Sequence, residues 1–324
     1  MLTVIEALVR MTKAHRLSQG RWETSGYGNA LWVSVHPRPV GSLRDVGALI
    51  GKLAQVPQAC VIRGEPLPGV DRRRCQRRFK KEPITFREEP RQWLMIDADS
   101  IPEPAATSMV TEPEDCIEHI IGLLPEPFQD ADCFWQASAS AGIKPGCRAH
   151  LWFWLSEPIS SLQAKFWLRG APVDRSIYTP IQPHYTADPI FIGAARDPLL
   201  RRQGWREGLQ PVVDVPIGLE EAPPSTAEEV AFAGGEADID ALLGAVRRSR
   251  AVRRIWEGER VFTDRSSAHY VLGCALVRAG VRDPDALRCG LHAYDLKHGR
   301  DTTKILRDDY ATRTVAACLA AVRP

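Results

Sequence analysis

Asp97 and Asp99, in the segment WLMIDADS (93–100), are the residues of this 324-residue chain whose types and spacing point most directly to chemistry. The segment is apolar as far as Asp97 and reads as a strand. The two-residue period of a strand sends both carboxylates to one face, roughly 6.6 Å apart along the chain. Two like charges placed there repel each other and lose hydration, and a pair of hard divalent cations compensates both penalties. An isolated Asp-x-Asp has a second reading, a strand running out into a polar loop with both side chains solvated.

Other residues extend the set. His150 opens the segment HLWFWL and alternates with Trp152 and Trp154, so it is either a site residue or a partly buried imidazole on an aromatic strand face. Asp188 precedes Pro189, and a proline suits the first position of a strand, where a missing N–H costs little. Ser138, Ser140, Gly142 and Lys144 lie in what reads as a hairpin loop, either facing phosphate or forming an ordinary turn. Lys144, Arg148, Arg201 and Arg202 are candidates for holding the phosphates of a nucleotide. The run Arg72, Arg73, Arg74, Arg77, Arg78, Lys80 and Lys81, with Phe79 inside it, is dense enough to follow a nucleic-acid backbone. It also has the composition of a self-repelling loop. A second basic cluster, Arg247, Arg248, Arg250, Arg253 and Arg254, precedes Trp256 and reads either as a nucleic-acid contact or as a solvated helix surface.

The elements that must position these residues follow from periodicity. An apolar-periodic segment runs from Thr3 to Ala14, a β-rich run from Leu31 to Val35, and a helix begins at Ser42 with Leu43, Val46, Leu49, Ile50 and Leu53 on one face. A strand is predicted at 59–63. Strands at 93–98, 133–138, 149–155 and 189–192, with helices at 113–124 and 160–169, give the order β-α-β-β-α-β of a ferredoxin-like sheet. In that sheet the first strand lies between the third and fourth, antiparallel to both. The arrangement would bring Asp97, Asp99, His150 and Asp188 to one sheet edge. Between Arg206 and Arg247 no Lys or Arg occurs, while acidic residues, prolines and Gly234-Gly235 do. This predicts a catalytic domain over 1–206, a linker over 207–237 and a helical domain over 238–324. Helices are expected at 238–255, 265–279, 284–295 and 304–321, with Asp264, Ser266 and Asp283 as caps. The predicted fold class is therefore α+β, a ferredoxin-like or RRM-like sheet followed by a small helical bundle.

The segments WLMIDAD, SAGIKPGCRAHLWFWL and PHYTADPIF, in this order and spacing, resemble the three motifs of the archaeo-eukaryotic-type primases and primase-polymerases, especially those of plasmids, phages and integrated elements. The likeness covers roughly residues 30–200. It implies that Asp97, Asp99 and Asp188 hold two Mg²⁺ or Mn²⁺ ions and that His150 contacts the phosphates of the incoming nucleotide. One position departs from the pattern: Arg148 stands where the family usually has a small residue two before the His. More loosely, the segments 264–280 and 305–318 resemble the helical domains that follow the catalytic core in mobile-element primases, which help to recognise the template. The implied activity is a template-dependent nucleotidyltransferase, a DNA primase or primase-polymerase, acting on single-stranded DNA and nucleoside triphosphates. A non-catalytic replication initiator or single-strand-binding protein, and a metal-dependent nuclease, are the alternatives.

Composition bounds these readings. With 44% hydrophobic and 25% charged residues the chain has the balance of a soluble globular protein. Its apolar runs fall far short of the roughly 20 residues that span a bilayer, so no membrane span is expected. The first basic residues follow the apolar N-terminal stretch, the reverse of a signal peptide, and a cytoplasmic location is expected. The eight cysteines show no CxxC pair. The net charge of +2 conceals a bias, since 34 of the 42 basic residues are Arg, the side chain suited to bidentate phosphate contacts. GC-rich coding would give the same bias. No GxxxxGK[ST] loop occurs, so a replicative helicase would have to come from another chain.

Overall fold

The computed structural model describes residues 1–28, 30–78, 83–105, 107–219, 238–260, 262, 265–299, 305–306 and 308–322. The chain divides into two units, Met1–Ala222 and Pro223–Pro324.

In the first unit the strands are β1 (Leu2–Glu6), β2 (Ala14–Ser18), β3 (Arg21–Ser25), β4 (Trp32–Arg38), β5 (Ala59–Ile62), β6 (Glu65–Pro66), β7 (Cys75–Gln76), β8 (Phe86–Arg87), β9 (Arg91–Ile101), β10 (Cys133–Ala137), β11 (Cys147–Ile159), β12 (His184–Tyr185), β13 (Ile190–Ile192) and β14 (Gln203–Arg206). The helices are α1 (Leu43–Leu53), α2 (Pro113–Ile121), α3 (Glu126–Gln129) and α4 (Ser161–Trp167). Ser42 caps α1 by accepting from the Asp45 N–H, and Ser160 with Gln163 forms a reciprocal capping box on α4. The stretch Thr3–Ala14 is a strand, a connection and the start of a second strand. The strand that holds its first part, β1, is buried on both faces over Leu2–Ile5, and such a strand carries no clean period.

Two sheets face each other. The four-stranded sheet has the order β14-β10-β11-β9, with antiparallel neighbours throughout. The five-stranded sheet has the order β12-β5-β1-β4-β7. On the first, Trp93, Met95 and Asp97 of β9 lie opposite Trp154, Trp152 and His150 of β11, so all six share one face. That face packs toward α1 and toward His184 of β12, whose ring meets Trp93 and Trp152 edge-on. The opposite face carries Leu151 and Phe153 into the core with Ile117, Ile120 and Phe128. Leu2, Val4, Ala59 and Val61 bring one face of the five-stranded sheet into the same core, and its other face has a core of its own around Ile5, Val33, Val35 and Ile62.

The expected fourth strand does not join β9. Ile190–Ile192 pairs parallel with β2 instead, in a three-stranded sheet ordered β13-β2-β3. The physical reason lies at the edge of β9, where alternate carbonyls already have donors. Arg63 Nη1 donates to Trp93 O at 3.2 Å, the Tyr178 hydroxyl to Met95 O at 3.0 Å, and the Asp174 N–H to Asp97 O at 2.9 Å. Two side chains and a loop amide take the place of a strand's row of N–H groups. The first unit also runs beyond residue 206. Val213 and Leu219 are core residues, and the Val213 N–H bonds Trp154 O, so 207–219 belongs to this unit. Residues 220–237 of the expected linker lie outside the described residues.

The second unit contains α5 (Ile239–Arg248), α6 (Arg250–Trp256), α7 (Arg265–Arg278), α8 (Pro284–Lys297) and α9 (Asp308–Ala321). The single helix expected at 238–255 is split at Ser249, whose extended backbone ends α5 and whose hydroxyl caps α6. Asp283 caps α8 as expected. Ser266 lies inside α7, and Asp264 lies outside the described residues. Leu272, Leu276, Leu287, Leu291 and Val315 form the core. Inside it His269 Nε2 meets Asp295 Oδ2 at 2.9 Å with both side chains fully buried, while His269 Nδ1 meets the Tyr310 hydroxyl at 3.0 Å. Among the described residues no helix is long and apolar enough to cross a membrane.

Candidate functional site

The end of β9 is irregular where the chemistry would sit. His150 pairs with Asp97 and Ala149 with Ala98, but the next pair is Cys147 with Ile101, so β9 accommodates an extra residue around Asp99 and Ser100. Ser100 takes a left-handed backbone with φ of 64°, a conformation rare for a residue with a side chain. Gly146 opposite has φ of 87°, and a Cβ there would stand 2.8 Å from Ile101 O. The bulge therefore needs a glycine in the facing turn. It leaves Asp97 beside the buried Trp face and turns Asp99 toward solvent, with the Asp99 side chain 58% exposed against 24% for Asp97.

His150 Nε2 lies 3.7 Å from Asp97 Oδ1. Burial, followed by the charge of Lys13, pushes His150 down to about 4, so its ring is neutral at physiological pH. Its Nδ1 is buried without a hydrogen-bond partner among the described residues. Asp97 is pushed up to about 7, chiefly by burial and then by the carboxylates of Asp174 and Asp99. Arg148 is ion-paired with Asp99 and also donates to the Ser100 hydroxyl.

Three contributors escape a reading of the sequence. Lys13, at the foot of β2, donates to the Ser140 hydroxyl at 2.9 Å, and burial followed by Lys144 lowers its pKa. Tyr27 stacks on Tyr185 with ring centroids 3.7 Å apart. Burial raises the Tyr27 pKa, as do Tyr185, Asp97 and Asp99. Asp174 bonds Asp97 through its backbone and repels it through its side chain. Lys13 carried one faint signal, a lone cation between Thr12 and the strand AHRLS. Tyr27 and Asp174 lie in loops without a pattern.

The remaining expected residues divide. Ser140 is buried and joins the site through Lys13, and Lys144 is exposed on the same hairpin. Ser138 pairs through its backbone with Arg148 and receives Arg202 Nη1 on its carbonyl. Arg202 is buried and clamped to Asp197, while Arg201 is paired with Glu114 at the surface. Asp188 is not brought to the Asp97–Asp99 pair. Gln55 Nε2 donates to its Oδ2 at 3.3 Å, the charges it meets are those of Arg202 and Asp197, and burial raises its pKa. Its other oxygen is buried and unpartnered among the described residues. Of the first basic run, Arg72, Arg73 and Arg74 are exposed and Arg78 is half-buried, while Arg77 is buried and donates to Ala30 O and Ile181 O as a brace. Phe79, Lys80 and Lys81 lie outside the described residues. Arg247, Arg248, Arg250, Arg253 and Arg254 are all exposed on α5 and α6.

The carboxylates of Asp97 and Asp99 are hard oxygen donors, and a divalent cation beside them would offset the charge of Asp99, which follows burial and Asp174 among the causes that raise Asp97. The third expected ligand is elsewhere, and among the described residues no three His, Cys, Asp or Glu side chains form a metal-holding group. Lys13, Lys144 and Arg148 surround the pair with positive charge. An anion between those cations and the cation between the carboxylates would satisfy both charge sets together. No protein-family model, no curated protein and no solved structure matches the chain.

Proposed function

We propose that the chain is a template-dependent nucleotidyltransferase, a DNA primase or primase-polymerase that joins nucleoside triphosphates on single-stranded DNA during replication of a mobile element, working with a helicase from another chain. The observation that carries this reading is the pairing of Asp97 on the edge strand β9 with His150 on its antiparallel neighbour β11, with Asp99 beside them and three cations around them.

In the proposed reaction a 3′ oxygen bonds the α-phosphorus, the bond from that phosphorus to the bridging oxygen breaks, pyrophosphate leaves and the hydroxyl proton passes to solvent. Divalent cations held by Asp97 and Asp99 would stabilise charge on the attacking and leaving oxygens. Lys13 and Lys144 bind the triphosphate oxygens. Arg148 exchanges its bond to Asp99 for charge-assisted bonds to phosphate, which frees Asp99 for the cation. The neutral His150 ring donates to a phosphate oxygen without adding charge beside Asp97. Tyr27 and Tyr185 wall the site and limit water.

The test incubates the full chain with single-stranded template, labelled nucleoside triphosphates and Mg²⁺ or Mn²⁺, beside Asp97→Ala/Asp99→Ala. Short products from the parent and none from the variant are expected. Lys13→Ala should raise KM for the nucleotide by about tenfold or more, the worth of one charge-assisted hydrogen bond. No product with either metal overturns the reading. A second reading, a non-catalytic strand-binding protein, is favoured by the Arg148–Asp99 pair and by the separate surroundings of Asp188. It expects strand binding that is indifferent to both Asp substitutions and no synthesis.

A further inference from the structure

At the other end of the five-stranded sheet a groove of about 590 Å³ opens between β4, the end of β1 and the turn before β7. Trp32 lies in it and is 37% exposed, whereas Trp93, Trp135 and Trp152 are at most 1% exposed. The Arg74 guanidinium carbon stands 4.6 Å over the Trp32 ring, and Arg73 lines the same groove. Arg72, Arg73 and Arg74 are exposed, and among the described residues no carboxylate comes within ion-pair distance of any of them. Their turn is held in place: Asp71 accepts from the Arg73 and Arg74 N–H groups, and Val35 N donates to Arg72 O. The one carboxylate lining the groove, Glu6, faces His36 at 3.7 Å.

We infer that this groove is a binding site for single-stranded nucleic acid, with Trp32 as the stacking platform for a base and Arg73 and Arg74 as contacts to the flanking phosphates. An exposed indole under a guanidinium offers a flat layer that any unpaired base can join, and planar guanidinium groups fit phosphate oxygens in pairs. Bases within a duplex cannot reach such a platform. An acidic peptide would engage the arginines and leave the indole idle. The inference rests on the proposed function only in calling the bound strand a template.

The test is fluorescence anisotropy of a labelled oligothymidylate with the full chain, without nucleotide or metal, over a series of salt concentrations. Trp32→Ala should weaken binding by about tenfold, the worth of one stacked base, and Trp32→Phe should restore part of it. Arg73→Glu/Arg74→Glu, exposed substitutions that leave the core intact, should lower the salt slope by about 1.4. Parent affinity and slope in the double Arg variant overturn the inference. So does equal displacement of the oligonucleotide by polyglutamate, which would assign the groove to an acidic protein. Binding is also measured in Asp97→Ala/Asp99→Ala. If the parent makes no primers but the groove variants lose the strand, the catalytic reading falls and the groove stands. If primers are made and the groove variants bind normally, the reverse holds.

Discussion

His184 is the residue with the plainest physical debt. Its ring is fully buried against Trp93 and Trp152, neither nitrogen has a hydrogen-bond partner among the described residues, and burial holds its pKa well below 6.5. The unfolded chain takes up a proton below about pH 6.5 that the folded ring refuses. Stability is therefore full above that pH and is lost as pH falls, by up to about 1.4 kcal/mol per pH unit. His184→Phe should flatten this loss, as seen in urea midpoints at pH 5 and pH 7.5, and should cost little at the higher pH because no hydrogen bond is given up. Part of the slope should survive, since His15 and His150 are lowered in the same direction. At this scale the sequence was only partly legible. Asp97 and His150 could be brought to one sheet edge from the predicted antiparallel order of their strands and from the motif resemblance. Lys13 and Tyr27 could not, because their place depends on how two sheets meet. Asp188 was misplaced with its strand.

Among the elements, β9 shows what local pattern conveys and what it omits. The strand, its antiparallel partner β11 and the hairpin from β10 follow from apolar runs and a glycine-bearing turn. What lies beyond the edge of β9 does not, because Arg63, Tyr178 and Asp174 close it through hydrogen bonds that leave no periodic trace. Arg63 is fully buried and also donates to Ile159 O and the Ser161 hydroxyl. Arg63→Met keeps much of the volume but strands two buried carbonyls, and should destabilise the first unit by about 3 kcal/mol. Chemical denaturation reads the shift. Light scattering should reveal self-association as well, since an uncovered strand edge recruits other strands.

For the molecule as a whole, the division into two units was readable from charge and from Pro and Gly content, but its position was not. Val213 and Leu219 pack into the first core although the stretch that holds them also carries Pro211, Asp214, Pro216 and Gly218. The buried His269–Asp295 pair gives the second unit a signature of its own. His269→Leu leaves a carboxylate buried without its partner and should cost that unit about 3–5 kcal/mol. Calorimetry of the full chain should show the helical transition moving down by about 12 °C or more while the transition of the first unit stays in place.

The sheets of the first unit are closed by chain that arrives late. Tyr185 and His184 complete the five-stranded sheet beside Cys60 and Val61, and Ile190–Ile192 completes the small sheet beside Ala14–Arg16. During synthesis at about 5–20 residues per second, β5 must therefore wait roughly 6–24 seconds for its partner and β2 roughly 9–34 seconds. Throughout those intervals β2 and β5 have open edges on the ribosome. This ties the yield of folded protein to translation speed and to whatever shields nascent strands, and codon changes between residues 62 and 184 should alter the soluble fraction without altering a single side chain.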